Sequence, residues 1–181
     1  TGDDADVIDA GDGNNVIDGG FDDDDITSGS GADLIVSGEG SDTISSGDGD
    51  DTIFGGIGGI GGDSVNLIDD NVLPFRNDPI LDNGDDLIDA GAGNDLVYAS
   101  HGADTLLGGA GADTLWGGAG NDNLSGGADN DLLRAGSGND TVLGGTGQDT
   151  LRGSGGNDFL DGGSDADLIE GLWRRLWQTG S

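Results

Sequence analysis

Residues 108–116 read Gly108-Gly109-Ala110-Gly111-Ala112-Asp113-Thr114-Leu115-Trp116, and residues 117–125 read Gly117-Gly118-Ala119-Gly120-Asn121-Asp122-Asn123-Leu124-Ser125. The shared pattern is Gly-Gly-x-Gly-x-Asp-x-apolar-x, with a period of nine. Three glycines in four residues permit positive φ and tight turning. Such a turn aims several carbonyls at one place, and the Asp at position six adds a carboxylate. Hard oxygens of this mixed kind suit calcium, which takes about six to eight in flexible geometry. The closing x-apolar-x is a minimal alternating strand with one side chain facing in. Each nonapeptide is therefore a turn plus a short strand, and two nonapeptides make one coil with turns on both edges.

Working outward, the pattern occurs 17 times. Six units fill residues 1–54, with Asp6, Asn15, Asp24, Asp33, Asp42 and Asp51 at position six. Their inward positions are Ile8, Ile17, Ile26, Ile35, Ile44 and Ile53. Asn15 lowers the charge of its turn by one, and Asp22 stands where the unit at 19–27 should have its fourth-position Gly. Gly55-Gly56-Ile57 reads as an insertion, after which residues 58–66 form a seventh unit with Asp63. Residues 81–170 then hold ten unbroken units, with Asp86, Asp95, Asp104, Asp113, Asp122, Asp131, Asp140, Asp149, Asp158 and Asp167 at position six. Their inward positions are Ile88, Val97, Leu106, Leu115, Leu124, Leu133, Val142, Leu151, Leu160 and Ile169. Flaws in this run are Ala99-Ser100-His101 in place of Gly-Gly-x, and Asp129 and Asp165 in place of the fourth-position Gly.

This array resembles the nonapeptide haemolysin-type (RTX) calcium-binding repeats of secreted bacterial proteins. The resemblance implies an all-β parallel β-roll, right-handed, with two short-strand faces and calcium-filled turns. It implies that each ion lies between adjacent turns of one edge, held by both Asp carboxylates and by carbonyls of the glycine-rich turns. Turns on one edge are two units apart, so Asp113 would share an ion with Asp131, and Asp104 with Asp122. The carbonyl donors would come from turn glycines such as Gly109, Gly111, Gly118, Gly120, Gly136, Gly138, Gly145 and Gly147. Asp129 and Asp165 put the carbonyl geometry of their turns in question. Magnesium, which demands rigid octahedral geometry, should substitute poorly. The resemblance further implies secretion by a type I system, whose usual C-terminal signal is not evident in this chain.

Composition fits a chain that needs metal to fold. Its 181 residues include 41 Gly, 37 Asp plus Glu, five Arg and no Lys, for a net charge of −32. Such a chain offsets its ordering entropy poorly and repels itself, so without calcium the reading is disorder. If each ion sits between turns i and i+2, the two runs hold roughly a dozen ions, or about +24, which brings −32 to roughly −8. The acidity argues against nucleic acid. No Cys or Met is present, so neither redox chemistry nor a disulfide framework is indicated. No stretch has the length of a transmembrane span, and no signal peptide opens the chain, which reads as a piece of something longer.

Four segments result: repeats at 1–66, a non-repeat loop or linker at 67–80, repeats at 81–170, and a cap or tail at 171–181. The 67–80 stretch holds both prolines and is either an excursion from the coil or a linker between two rolls. In 171–181, Leu172, Trp173, Leu176 and Trp177 are read as covering the open end of the solenoid. The rival readings are a membrane-seeking aromatic-basic tail, the one point of membrane contact considered, or an engineered tail. Deleting 171–181 should then cause aggregation or loss of calcium-induced folding, and an unchanged monomeric truncation would refute the cap. His101, the only histidine, is read as a turn residue.

Position nine on one face runs Tyr98, Trp116, Arg134, Arg152, Glu170. This ladder is either ordinary cross-strand pairing or a site for an extended polymer such as an acidic polysaccharide. No nucleophile with its base and no catalytic motif is found, so any catalytic domain of the parent protein lies outside these residues. The expected function is a non-enzymatic, calcium-binding module that folds outside the cell and supports a larger secreted protein. The alternatives are a polysaccharide- or surface-binding accessory or adhesin module, or a non-catalytic fragment of a secreted enzyme or toxin.

Overall fold

A computed structural model describes residues 4–56 and 84–170. The described residues form 16 strands in two parallel sheets of eight. The odd sheet comprises β1 (Val7–Asp9), β3 (Asp25–Thr27), β5 (Thr43–Ser45), β7 (Leu87–Asp89), β9 (Thr105–Ala110), β11 (Asn123–Ala128), β13 (Thr141–Thr146) and β15 (Phe159–Ser164), in that order. The even sheet comprises β2 (Val16–Phe21), β4 (Leu34–Glu39), β6 (Thr52–Gly56), β8 (Leu96–His101), β10 (Thr114–Ala119), β12 (Leu132–Ser137), β14 (Thr150–Gly155) and β16 (Leu168–Glu170). Successive units alternate between the sheets, so each strand pairs with the one a full coil away. The fold is a parallel β-roll.

Register follows the period. Ile8 lies beside Ile26, and Leu115 between Val97 and Leu133. The step between neighbouring rungs is two nonapeptides except at one place. There β5 pairs directly with β7, Ile44 beside Ile88, and β6 pairs with β8, Ile53 beside Val97. The sequence separation across those rungs is 44, and the described parts of both runs share the same two sheets. The unit at 58–66, with Asp63, and the segments 67–80 and 171–181 lie outside the described residues.

The core is the expected position-eight column. Ile26, Ile35, Ile53, Ile88, Val97, Leu106, Leu115, Leu133, Val142 and Leu151 are all fully buried. Each such side chain contributes about 2 kcal/mol of burial. Ile8 and Ile169 are only half-buried, because each occupies a terminal rung of the described stack.

Strands run longer than three residues. Most span positions seven to three of the next unit, as in Thr114–Ala119. Alternation then turns position one inward as well, and Ala90, Ala99 and Ala135 join the core there. The interior between facing sheets is thin at this level, so position one must be small. This corrects the reading of Gly55-Gly56 as the start of an insertion. Both residues finish β6 at positions one and two, where Gly56 lies beside Gly38.

Candidate metal centre

The turns are shaped by positive φ at positions two and four. At Gly120, φ is 153°, and a Cβ there would collide with the Gly102 carbonyl of the preceding coil. Non-glycine residues at these positions keep the same hand. Asp129 and Asp165 take φ of 78° and 79°, and Ser100 takes 94°. Asp visits the left-handed region more readily than most residues, so the turns at Asp129 and Asp165 hold their form.

Position six closes each turn. Along one edge the main-chain N–H of Asp86 donates to Oδ1 of Asp104 at 2.8 Å, Asp104 to Asp122 at 3.0 Å, and Asp122 to Asp140 at 2.9 Å. Along the other edge Asp95 donates to Asp113, Asp113 to Asp131, and Asp131 to Asp149, each at 2.9 Å. The same bond links Asp6 to Asp24, Asp24 to Asp42, and Asp33 to Asp51. Asp140 and Asp149 continue it to Asp158 and Asp167 in the last rungs.

One oxygen of each carboxylate is thereby used. The other, Oδ2, is buried without a hydrogen bond at Asp24, Asp33, Asp95, Asp113, Asp122, Asp131, Asp140 and Asp149. These side chains are at most 3% exposed. Glycine at position one leaves room beside them. A methyl built at Gly117 would lie 2.5 Å from Oδ2 of Asp122 and 2.8 Å from the Ala135 carbonyl oxygen of the next coil. A carboxylate oxygen and a carbonyl oxygen thus converge with no donor between them.

Burying such anions is costly unless a cation or a proton compensates. The compensation is absent from the described protein, whose only cationic side chains are Arg134 and Arg152, both on the outer face. Burial accordingly pushes the carboxyls of Asp95 and Asp131 up to about 7. It pushes Asp113 and Asp140 up to about 6. Asp24, Asp51, Asp122 and Asp149 are raised for the same reason, opposed by the main-chain N–H that each accepts.

One turn shows where a cation would go. Asn15 takes the place of Asp, and its Nδ2 donates to the carbonyls of Gly11 and Gly13, each at 2.9 Å. In this turn the carbonyls of positions two and four therefore converge on the tip of the position-six side chain. In an Asp turn that tip is a carboxylate, whose Oδ1 accepts the N–H of the preceding coil's Asp and whose Oδ2 is left without a donor. Positions two and four are also those of Gly109 and Gly111, Gly118 and Gly120, Gly136 and Gly138, and Gly145 and Gly147. Among the described residues no three acidic or histidine side chains converge, so each gap offers two carboxylates and must draw its other donors from the backbone. All-oxygen donors of this mixture fit a calcium ion and not a thiophilic or imidazole-seeking metal.

The family described as RTX calcium-binding nonapeptide repeat (4 copies) matches residues 1–35, 27–59, 81–115, 98–133, 107–142, 116–151 and 134–169. The chain belongs to this calcium-binding family. No curated protein matches it. In RTX terms, the turn positions and the inter-turn gaps are those of a calcium-binding β-roll.

Two features of this RTX roll escaped the periodic reading. Position five carries a second ladder that runs opposite to the first. Asn121 Oδ1 accepts the N–H of Asn139, and Asn139 that of Asn157, at 2.8 and 3.0 Å. Asn94 and Asn130 do the same for Ala112 and Gln148. The recurrence of Asn, Asp and Ser there was the available signal. Position one carries the other feature. Ser28, Ser37 and Ser46 donate their hydroxyls to the carbonyls of Ser46, Gly55 and Ala90 in the next coil, at 2.6–2.8 Å.

The outer ladder is more extended than its sequence spacing indicates, because the pairing of β6 with β8 adds Phe54. Phe54 stacks on Tyr98 at 5.4 Å, and Tyr98 meets Trp116 edge-on at 4.3 Å. The Arg134 guanidinium sits 5.2 Å from the Trp116 ring, and Arg152 Nε lies 2.7 Å from Glu170. His101 is the last residue of β8 and pairs with Ala119, which corrects its reading as a turn residue; its Nδ1 lies 3.2 Å from the Ser100 hydroxyl.

Proposed function

We propose that this calcium-binding RTX roll is a non-catalytic folding module of a secreted bacterial protein, ordered by calcium once outside the cell. The observation that carries this reading is the column of buried Asp Oδ2 atoms with no donor supplied by the protein. Without metal, the interior anions and the charge of −32 oppose folding. Calcium at about 10⁻⁴ to 10⁻³ M, the range of weak extracellular sites, supplies the missing partner and couples binding to folding. An unfolded state at low cytosolic calcium suits export through a type I system. Far-UV circular dichroism during a calcium titration, with magnesium as control, is the test. A cooperative gain of β signal with calcium alone is expected; a full β spectrum in chelator would refute metal-gated folding.

A second reading is favoured by the ladder from Phe54 to Arg152. Aromatic faces followed by the described residues' two cations form a row with rungs about 4.8 Å apart, suited to an extended anionic polysaccharide. Its rings and guanidinium groups touch one another, as a purely structural row would show, but Trp116 Nε1 and Arg134 Nε are buried without a hydrogen bond. The double variant Arg134→Ala, Arg152→Ala should lose binding to uronate polymers and keep its calcium binding. Equal binding by variant and parent would reject the site.

A further inference from the structure

We propose that the step of 44 residues at which the two runs of repeats meet is closed by serine hydroxyls in the place of calcium, on both edges of the roll. This rests on the reading of the other gaps as calcium sites. Register alone would carry both columns of ions across the step. On one edge Asp51 N–H donates to Asp95 Oδ1 at 2.7 Å, and on the other Asp42 N–H donates to Asp86 Oδ1 at 2.9 Å, as between ordinary coils. What differs is the residue at position one.

Inside the long run, glycine at position one leaves space in the gap. At Gly117 that space is bounded by Oδ2 of Asp122 and the Ala135 carbonyl oxygen, 2.5 and 2.8 Å from where a methyl carbon would stand. Calcium–oxygen distances are about 2.3–2.6 Å, so a point of this kind suits the ion. At the step the same space is filled. Ser46 donates its hydroxyl to the carbonyl of Ala90, the position-one residue of the next coil, at 2.7 Å, and the hydroxyl also faces the Asp51 carboxylate. On the other edge Ser37 donates to the Gly55 carbonyl at 2.6 Å. Gly55 serves as position one of the turn that ends in Asp86, since a methyl built on it would lie 2.6 Å from Asp86 Oδ2. Both serines are fully buried.

The residues at the step therefore do not fit the ion that the other gaps fit. Calcium would have to break the hydroxyl–carbonyl bond and displace a buried side chain. Closing this longer step costs more loop entropy than closing an ordinary coil of two units, and the hydroxyls contribute to it at any calcium concentration. The ions of the roll fall into two groups, one on either side of the step, with no ion shared between them.

Equilibrium dialysis at saturating calcium gives the ion count, and far-UV circular dichroism checks the β structure of each variant. Ser37→Gly and Ser46→Gly should each open a gap and bind about one ion more than the parent. Gly117→Ser, which copies Ser46 within the long run, should bind about one fewer. The two directions are independent, so a variant that fails to fold leaves the other to decide. An unchanged count in both serine variants overturns the proposal, and so does an unchanged count in Gly117→Ser. A parent that binds no calcium overturns the calcium-folded reading itself and is read separately.

Discussion

The two runs of the roll satisfy their interior oxygens differently. In residues 4–56, Ser28, Ser37 and Ser46 fill position one and hydroxyls reach the next coil's carbonyls. One turn there, at Asn15, is closed by its own amide. In residues 84–170, position one is Gly or Ala wherever it is described, and the position-six residue is always Asp. The carboxyls that burial raises to about 6 or 7 all lie in that second run. The same backbone path thus takes hydroxyl donors in part of the first run, where Asp24 and Asp33 still keep a donor-less Oδ2, and in the second run has no such hydroxyls at position one, its buried carboxylates open to the proposed calcium.

The largest expected effect follows from removing that cation. In chelator, amide exchange should show protection collapsing across 84–170 while residues 28–54 retain more, because the serine ties stay in place. Uniform loss across both runs would erase the distinction.

Acid is the next probe. Asp95, Asp113, Asp131 and Asp140 ionise near the ordinary carboxylate value when unfolded, and at about 6 to 7 in the metal-free roll. Between those values the folded state binds more protons than the unfolded one. Stability from this source is therefore complete below about pH 4 and is lost as pH rises through about 6 to 7. Chelated protein should regain β signal on going from pH 8 to pH 5, most of it in 84–170. Calcium affinity should fall over the same interval, since protons compete for the same oxygens. A spectrum indifferent to pH in chelator would contradict the assignment.

Smaller changes sharpen the contrast residue by residue. Asp113→Asn should copy Asn15, its amide capping the carbonyls of Gly109 and Gly111. The roll should fold at saturating calcium but bind about two fewer ions, because Asp113 faces both Asp95 and Asp131. Equilibrium dialysis gives the count, and an unchanged count would show that Asp113 holds no metal. Ser37→Ala leaves the buried Gly55 carbonyl without its donor and should cost about 1–3 kcal/mol. Calcium-saturated denaturation measures it, and a neutral result would mean that the ties of the first run are incidental.

Positions six and eight were legible because both are held to one chemistry. A buried aliphatic and a ligating carboxylate tolerate few substitutes, so the period shows through. Position one was missed because Gly, Ala and Ser share only smallness. Position five was missed because Asn121, Asp85 and Ser41 look like ordinary turn residues until the stacking of coils places each beside the next N–H. The junction was illegible for another reason. Periodicity carries phase only along an unbroken run, and the separation of 44 is no multiple of nine. Which rungs meet across it is decided by register in space, Ile53 beside Val97.

Alternation of units between the two sheets also sets how such a chain can change in length. Removing two adjacent units within the long run deletes one coil and leaves every later residue on its own face and edge. Removing a single unit exchanges the faces of everything that follows. Loss of 117–125 would bring Arg134 to the rung beyond Leu107, on the opposite side from Tyr98 and Trp116. Gain or loss that keeps every face therefore comes in pairs of motifs, and adds or removes one turn on each edge. The motif that repeats in the sequence is one nonapeptide, but the smallest heritable increment of the roll is two.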